Sequence, residues 1–260
     1  MKCIYSAFDR ALKRKIYKHI LCVVAAITLT FPLAALAETV TFVTTDFPPY
    51  VIHEGEHLSG FDVEIVQELC RRVGVEPEFT LVPWKRALEY VKSGTVDGIM
   101  MPVFREERTQ YMYYTDQPID HERISIMSLR GANISAKSLD SLKDLQIGVV
   151  YGYSYGKEFD ENSTLRKVVS YDNSAMLKNL VKGRYQLLVS DEYVINYVAR
   201  QSGQEELETV LNLIDNPNFL CFSKATGERG QELTRRFSQA IRDAQQDGTL
   251  DKIKKKYLLN

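Results

Sequence analysis

The 260-residue sequence contains only four cysteines, one tryptophan and four histidines, and its 33 basic residues nearly balance 34 acidic ones. Four cysteines without framework spacing exclude a small disulfide-stapled scaffold, and a chain of this length can bury a core without one. No spacing matches a zinc site, no glycine-rich phosphate loop is present, and the histidines offer no Ser-His-Asp arrangement. The one suggestive pair, His53 and His57, lies in the polar segment His53-Glu54-Gly55-Glu56-His57, which reads as a hairpin loop and not as a helix that would align two metal ligands. Little catalytic machinery is left, and no cofactor is expected.

The charge that is present is unevenly placed. Residues 1–37 carry Lys2, Arg10, Lys13, Arg14, Lys15 and Lys18 against Asp9 alone, followed by an apolar stretch from Ile20 to Leu36 that ends in Ala35-Leu36-Ala37. A basic start, an apolar centre and an A-x-A ending predict a secretory signal peptide cleaved after Ala37 and a mature chain in the periplasm. A membrane anchor is the rival reading, which Pro32 and the small residues at the end of the run disfavour. Setting aside those six basic residues and one acidic residue leaves 27 basic against 33 acidic, a formal charge of −6. That sign disfavours nucleic acid as a partner. Cys70 and Cys221, the cysteines that remain, have apolar neighbours and read as buried thiols.

From Thr39 to Thr45 the chain alternates with β-branched residues and predicts a strand, stopped by Asp46-Phe47-Pro48-Pro49-Tyr50. Asp62 is a candidate N-cap for a helix with Ile65, Val66, Leu69, Cys70 and Val73 on one face and Gly74 at its stop. A helix from Pro83 to Gly94 running into the strand Thr95–Met101 has an echo in a helix from Asn173 to Gly183 running into Arg184–Asp191. Strand Leu145–Tyr151 with the turn Gly152–Gly156 extends the repeat. Two α/β lobes of like build are expected, with ligand-binding loops at the carboxyl ends of their strands.

Those ends carry the candidate site. Arg105 and Arg108 follow a strand, where a guanidinium fork suits a carboxylate; pairing with Glu106 and Glu107 on a solvated turn is the competing reading. Ser154, with Tyr155 beside it, stands in a Gly-x-Ser turn able to offer hydroxyl and backbone N–H to an anion. Asp191 ends a buried strand and needs a cation or several donors, unless it caps the helix beginning at Glu192. Phe47, Tyr50, Trp84 and Tyr193 are candidate aromatic walls, although Trp84 also fits the apolar face of its helix.

The order of Phe47-Pro-Pro-Tyr50, Gly60-Phe61-Asp62, Gly94-x-x-Asp97-Gly, Arg105-Glu-Glu-Arg108, Tyr114-Thr-Asp-Gln-Pro118, Leu142-Lys-Asp-Leu145, Gly152-Tyr-Ser154, Gly183-Arg184, Asp191 and Asp247-Gly-Thr-Leu-Asp-Lys-Ile253 resembles the family 3 extracellular solute-binding proteins of bacterial amino-acid importers. The resemblance implies a type II periplasmic-binding-protein fold, with lobes formed by 38–128 plus 222–260 and by 129–221, joined by two crossover strands near Ile124–Leu129 and Phe219–Ser223. It further implies a monomer that hands a small ligand, an amino acid or organic anion, to the membrane subunits of an ABC importer. By that resemblance Arg108 holds a carboxylate, Ser154 adds donors, Asp191 takes an ammonium and Phe47 stacks on the ligand. Met100-Met101-Pro102-Val103 departs from the small polar residues usual before the arginine and brings Met101 to the site. Two alternatives share the fold: a periplasmic enzyme resembling cyclohexadienyl dehydratases, and a ligand-sensing protein that docks to a membrane receptor.

Overall fold

A computed structural model describes residues 38–258 with the exception of Glu56, and the expected signal segment lies outside the described residues. Strand β1 (Glu38–Thr44) runs parallel to β4 (Val75–Leu81) on one side and β5 (Gly98–Val103) on the other. Between them come a hairpin, β2 (Ile52–Glu54) with β3 (His57–Ser59), and helices α1 (Phe61–Val73) and α2 (Trp84–Ser93). The hairpin is where His53 and His57 sit, as their polar surroundings suggest. Farther along, β8 (Gln146–Val150) lies between parallel neighbours β9 (Arg166–Ser170) and β10 (Leu187–Asp191), with α3 (Lys157–Asp160) and α4 (Asn173–Val181) in the connections. The strand orders β4-β1-β5 and β9-β8-β10 are the same 2-1-3 arrangement, so the sequence echo is a duplicated α/β unit.

Two antiparallel strands stand between these units in a single sheet ordered β4-β1-β5-β11-β7-β10-β8-β9. They are β7 (Asp120–Ser128) and β11 (Glu208–Ser223); short β6 (Met112–Tyr114) also pairs with β11. Helix α5 (Glu192–Gln201) precedes β11, and α6 (Glu228–Gln246) and α7 (Thr249–Leu258) return the chain to the first unit. There Leu233, Phe237 and Ile241 of α6 pack with Ile65, Val66 and Leu69 of α1 beneath Val40 and Phe42. Such fully buried aliphatic and aromatic side chains each contribute about 1.5–3 kcal/mol relative to exposure. Cys70 and Cys221 are free and buried, and burial pushes the Cys70 thiol up to about 12, so it packs as an apolar group.

Asp62 does not cap α1. The N-cap is Gly60, and Asp62 lies in the first turn, wholly buried, with its N–H donating to the Tyr50 carbonyl at 3.0 Å. Gly60 is required here: its φ is 112°, and a Cβ would stand 2.4 Å from the Tyr50 oxygen. The Pro49-Tyr50 turn is thereby pressed onto the start of α1.

The two units also meet at Tyr50. Its side chain is fully buried, and its hydroxyl donates to Asp191 Oδ2 at 2.8 Å. Asp191 Oδ2 accepts from Arg123 N–H at 3.1 Å, and Oδ1 accepts from Val194 N–H at 2.9 Å as the N-cap of α5. Tyr193 packs edge-on against Tyr50 and Phe61. Desolvation dominates the electrostatics of this carboxyl and lifts it to about 7, despite three donors that favour the ionised form.

Two outcomes follow from these contacts. Gly60→Ala combines a left-handed backbone with a clash against main chain and is expected to cost at least ~2 kcal/mol, whereas Gly74→Ala, with open space around its Cβ, is expected to cost ~1 kcal/mol. Calorimetric melts should rank them so, with a drop of roughly 4–8 °C or more for Gly60→Ala; equal melting points would mean the close approach to Tyr50 is relaxed in solution. The second concerns Asp191. Its folded carboxyl titrates above the unfolded value, so the stability it contributes is complete below about pH 4 and is lost as pH rises to about 7. Asp191→Asn removes that titration, so the stability gap between parent and variant should shrink from pH 4 to pH 7 in urea unfolding, and a constant gap would refute it.

Candidate functional site

The carboxyl ends of β1 and β5 flank the point where the first unit reverses its strand order, and a cavity of about 340 Å³ opens there. Phe47 from the loop after β1, Trp84 at the start of α2, and Met101 and Val103 of β5 form its apolar wall. Thr45, Arg108, Glu122 and Asn218 supply polar groups. A small number of polar groups in a mostly apolar concavity is the usual construction of a small-molecule site.

Arg108 owes its position to a tight 3-10 turn, Glu106–Gln110, which follows β5 directly. Its Nη1 donates to the Val103 carbonyl at 3.0 Å, and its guanidinium lies 5.8 Å from the centre of the Trp84 ring. Neither Arg105 nor Arg108 forms an ion pair with Glu106 or Glu107 among the described residues, so the solvated-turn reading does not describe this arrangement. Arg105 is exposed and outside the cavity, and its backbone N–H donates to Tyr114 Oη at 3.3 Å. Thus one of the two arginines, held by the Val103 carbonyl and the Trp84 ring, lines the cavity and the other does not.

Met101 has a φ of 66°, a left-handed conformation costly for a residue with a Cβ. Backbone of this kind persists where the surroundings over-determine it, and here it directs a cavity-lining side chain. Trp84 packs partly against the cluster of Val43, Ala87, Val91 and Ile99 and also lines the cavity. Phe47 stacks on Tyr50 with ring centres 5.2 Å apart. That contact ties the cavity wall to the buried turn beneath it.

Other residues singled out by sequence fall elsewhere. Tyr155 is buried in the core of the second unit, where its hydroxyl accepts from Val150 N–H at 2.8 Å. The turn expected to offer donors to an anion already holds one: Ser154 Oγ donates to Asp160 Oδ2 at 2.6 Å, and Tyr155 N–H donates to the same carboxylate at 3.1 Å. Tyr50, Asp191 and Tyr193 form the enclosed junction described above and do not line the cavity. The helix-cap reading of Asp191 is the one its geometry displays.

Thr45, Glu122 and Asn218 were not anticipated. The signal for Glu122 is the polar run Asp120-His-Glu-Arg123, which opens an otherwise apolar strand; Asp120 itself is buried, and the chain reaches water from His121 to Arg123. Alternation then sends Glu122 and Arg123 to opposite faces. A wider groove of about 600 Å³ lies on the Arg123 side, but its charges serve one another: Asp215 pairs with His121 and Arg123, and Glu192 accepts from the hydroxyls of Ser125 and Thr209. Among the described residues no group of histidine, cysteine and acidic side chains is arranged to hold a metal ion, and no helix is long and apolar enough to cross a membrane.

Comparison with known proteins agrees with this architecture. The lysine/arginine/ornithine-binding periplasmic protein of Escherichia coli K12 is 26% identical over 235 residues, covering 86% of this chain and 89% of that one. Substrate-binding domain 2 of Lactococcus lactis GlnP, in its open conformation, superposes with a TM-score of 0.72 at 21% identity, over 87% of this chain and 98% of the domain. The unliganded open L-cystine solute receptor of Neisseria gonorrhoeae gives 0.70 at 21% identity, over 86% and 93%. These structures share the periplasmic-binding-protein fold: duplicated α/β units bridged by two strands. The sequence matches the profile of bacterial extracellular solute-binding proteins, family 3, over residues 40–260, nearly all of the part whose fold and cavity are described above. The chain belongs to that family.

Proposed function

We propose that this protein captures a small zwitterionic or anionic solute, an amino acid in the first instance, and delivers it to the membrane subunits of an ABC importer. The observation that carries this reading is Arg108: a guanidinium without a carboxylate partner among the described residues, facing a cavity walled by Phe47, Trp84 and Met101. A carboxylate in that position gains paired charge-assisted hydrogen bonds in a partly desolvated setting, and the aromatic rings accept the aliphatic part of the ligand. The lysine/arginine/ornithine-binding protein among its relatives supports the amino-acid class by name.

In this reading the protein acts as a single chain exported after cleavage behind Ala37. Residues 38–128 with 222–260 form one lobe, and 129–221 the other. The lobes close by bending of β7 and β11, the two strands that join the duplicated units. Catalysis is not part of this reading, and the relatives compared are named as binding proteins or receptors.

A thermal-shift screen of the mature chain against L-arginine, L-lysine, L-histidine, L-glutamine and L-cystine tests the class directly, since a ligand at ~100 times its dissociation constant stabilises by about 2.7 kcal/mol. Calorimetry on variants tests the site. Arg108→Ala is expected to weaken the best binder of that screen by about 30-fold or more, from the ~2–5 kcal/mol cost of removing one partner of a desolvated charge pair. Arg105→Ala, exposed and outside the cavity, should stay within about threefold of the parent. The reverse order would move the anion site to Arg105, and two silent variants would remove it from this turn. Intact mass of protein recovered from the periplasm should correspond to a chain beginning at Glu38, and a mass retaining residues 1–37 would overturn export with cleavage.

A further inference from the structure

Three buried carboxyl oxygens lack a hydrogen-bond partner among the described residues: both of Asp62, in the first turn of α1, and Oδ2 of Asp120, the first residue of β7. Asp62 is fully buried and Asp120 nearly so, and the charge of Asp120 acts on Asp62. Lys254 of α7 brings a cation to them, its Nζ 3.3 Å from Asp120 Oδ1. Two carboxyls and one ammonium leave this part of the interior with one negative charge in excess if both acids ionise. An uncompensated charge away from water costs more than keeping a proton.

The surroundings do little to offset that excess. On α7, Asp251 stands 3.9 Å from the Lys254 ammonium and competes for it from the exposed side. The next acid of α1, Glu64, is taken by Lys256 and by the Tyr257 hydroxyl. His121 and Arg123, farther along β7, are shared with Asp215, and α6 packs on α1 through apolar side chains. Tyr50 arrives from the turn after β1 and donates to Asp191; burial, then the charges of Asp191 and Asp120, push its phenol well above the ordinary range. Tyr193 of α5 is likewise raised to about 12, by burial first and Asp120 next. The two acids themselves differ. Burial raises both, but at Asp120 the Lys254 charge and then the His121 N–H oppose it, whereas at Asp62 the charge of Asp120 adds to it.

We infer that Asp62 and Asp120 carry one proton between them, resident on Asp62, and that with Lys254 they form a pH-sensitive fastening that ties α7 and the start of β7 to α1. β7 is one of the two strands joining the α/β units, and Glu122, two residues past Asp120, lines the cavity, so the fastening fixes the end of a connecting strand beside the site. The inference is independent of what the cavity binds. Asp62 keeps its proton in the folded chain where the unfolded chain releases it, so the stability it contributes is complete below about pH 4 and is lost as pH rises toward its folded titration.

Urea unfolding of the parent and of Asp62→Asn, which keeps the shape and a donor but cannot ionise, tests the proton. The unfolding constant of the parent relative to the variant should rise with pH above 4, by up to about tenfold per pH unit. It should be at least about tenfold greater at pH 7 than at pH 5, and a ratio independent of pH would overturn the inference. Infrared difference spectra at pH 7, parent minus Asp62→Asn, should show the carbonyl stretch of one protonated carboxyl, since Asp191 is present in both and cancels; a missing band would overturn it. Lys254→Met removes the ammonium that favours ionisation, so the band should persist to higher pH than in the parent, and this arm decides the matter if Asp62→Asn fails to fold. A band lost at lower pH would count against the inference. Stabilisation of the parent at pH 8 by sodium or potassium chloride, and not by choline chloride at equal ionic strength, would also overturn it and put a bound cation in place of the proton.

Discussion

The antiparallel ladder between β7 and β11 is what joins the two α/β units in one sheet. β11 is 16 residues long and hydrogen-bonds to β5 and β6 of the first unit as well as to β7, while β7 in turn pairs with β10 of the second. Without this pair the duplicated α/β units would have no shared sheet. The ladder is also irregular: its register shifts between Thr209 and Leu211 and between Asn212 and Ile214, and the pairing of β11 with β5 shifts between Asn218 and Leu220. Such irregularities increase local twist and re-aim side chains. Asn218, at the last of them, is one of the residues turned into the cavity.

Polar groups fall into two populations according to how they are satisfied. Most are closed within the fold. Asp160 collects Ser154 Oγ and Tyr155 N–H, Asp97 takes Thr41 N–H and the Arg229 guanidinium, and Asp191 takes Tyr50 together with two backbone donors. Burial makes a carboxylate expensive as an ion, and it raises Asp191 and likewise Asp62 and Asp120, whose Oδ1 and Oδ2 (Asp62) and Oδ2 (Asp120) are buried without a hydrogen-bond partner among the described residues. Arg108 and Glu122 belong to the second population, oriented by neighbours but not neutralised by them. That contrast, more than the size of any concavity, separates the 340 Å³ cavity from the larger groove, whose charges are paired internally.

Local structure connects the cavity to the junction of the units through a short path. Gly60 lets α1 begin against the Pro49-Tyr50 turn, Tyr50 carries Phe47 on one side and reaches Asp191 on the other, and Asp191 begins α5. The wall of the cavity and the contact between units are therefore parts of one packed assembly, in which a shift of the turn moves both.

The sequence by itself determined the elements and their repetition. β-branched alternation set β1, the spacing of Ala87 and Val91 set the buried face of α2, Gly74 ended α1 in a left-handed cap, and the two helix-strand echoes became two units of identical strand order. The turn after β5 was legible as a place for a guanidinium, but Arg105 and Arg108 stood there alike in the residues, and the structure lines the cavity with Arg108 alone of the two. Partnership was not legible. Whether Ser154 meets a ligand or Asp160, whether Asp62 caps a helix or is buried within its first turn, and whether Asp191 opens to the cavity or closes on Tyr50, all depend on residues up to 141 positions away. Glu122 and Asn218 were missed for the same reason: each lies on a strand whose faces look alike in sequence until a sheet assigns one to the cavity. Propensity and alternation act over a few residues, but the satisfaction of a charge is decided by whatever the fold brings beside it, and only the tertiary structure contains that information.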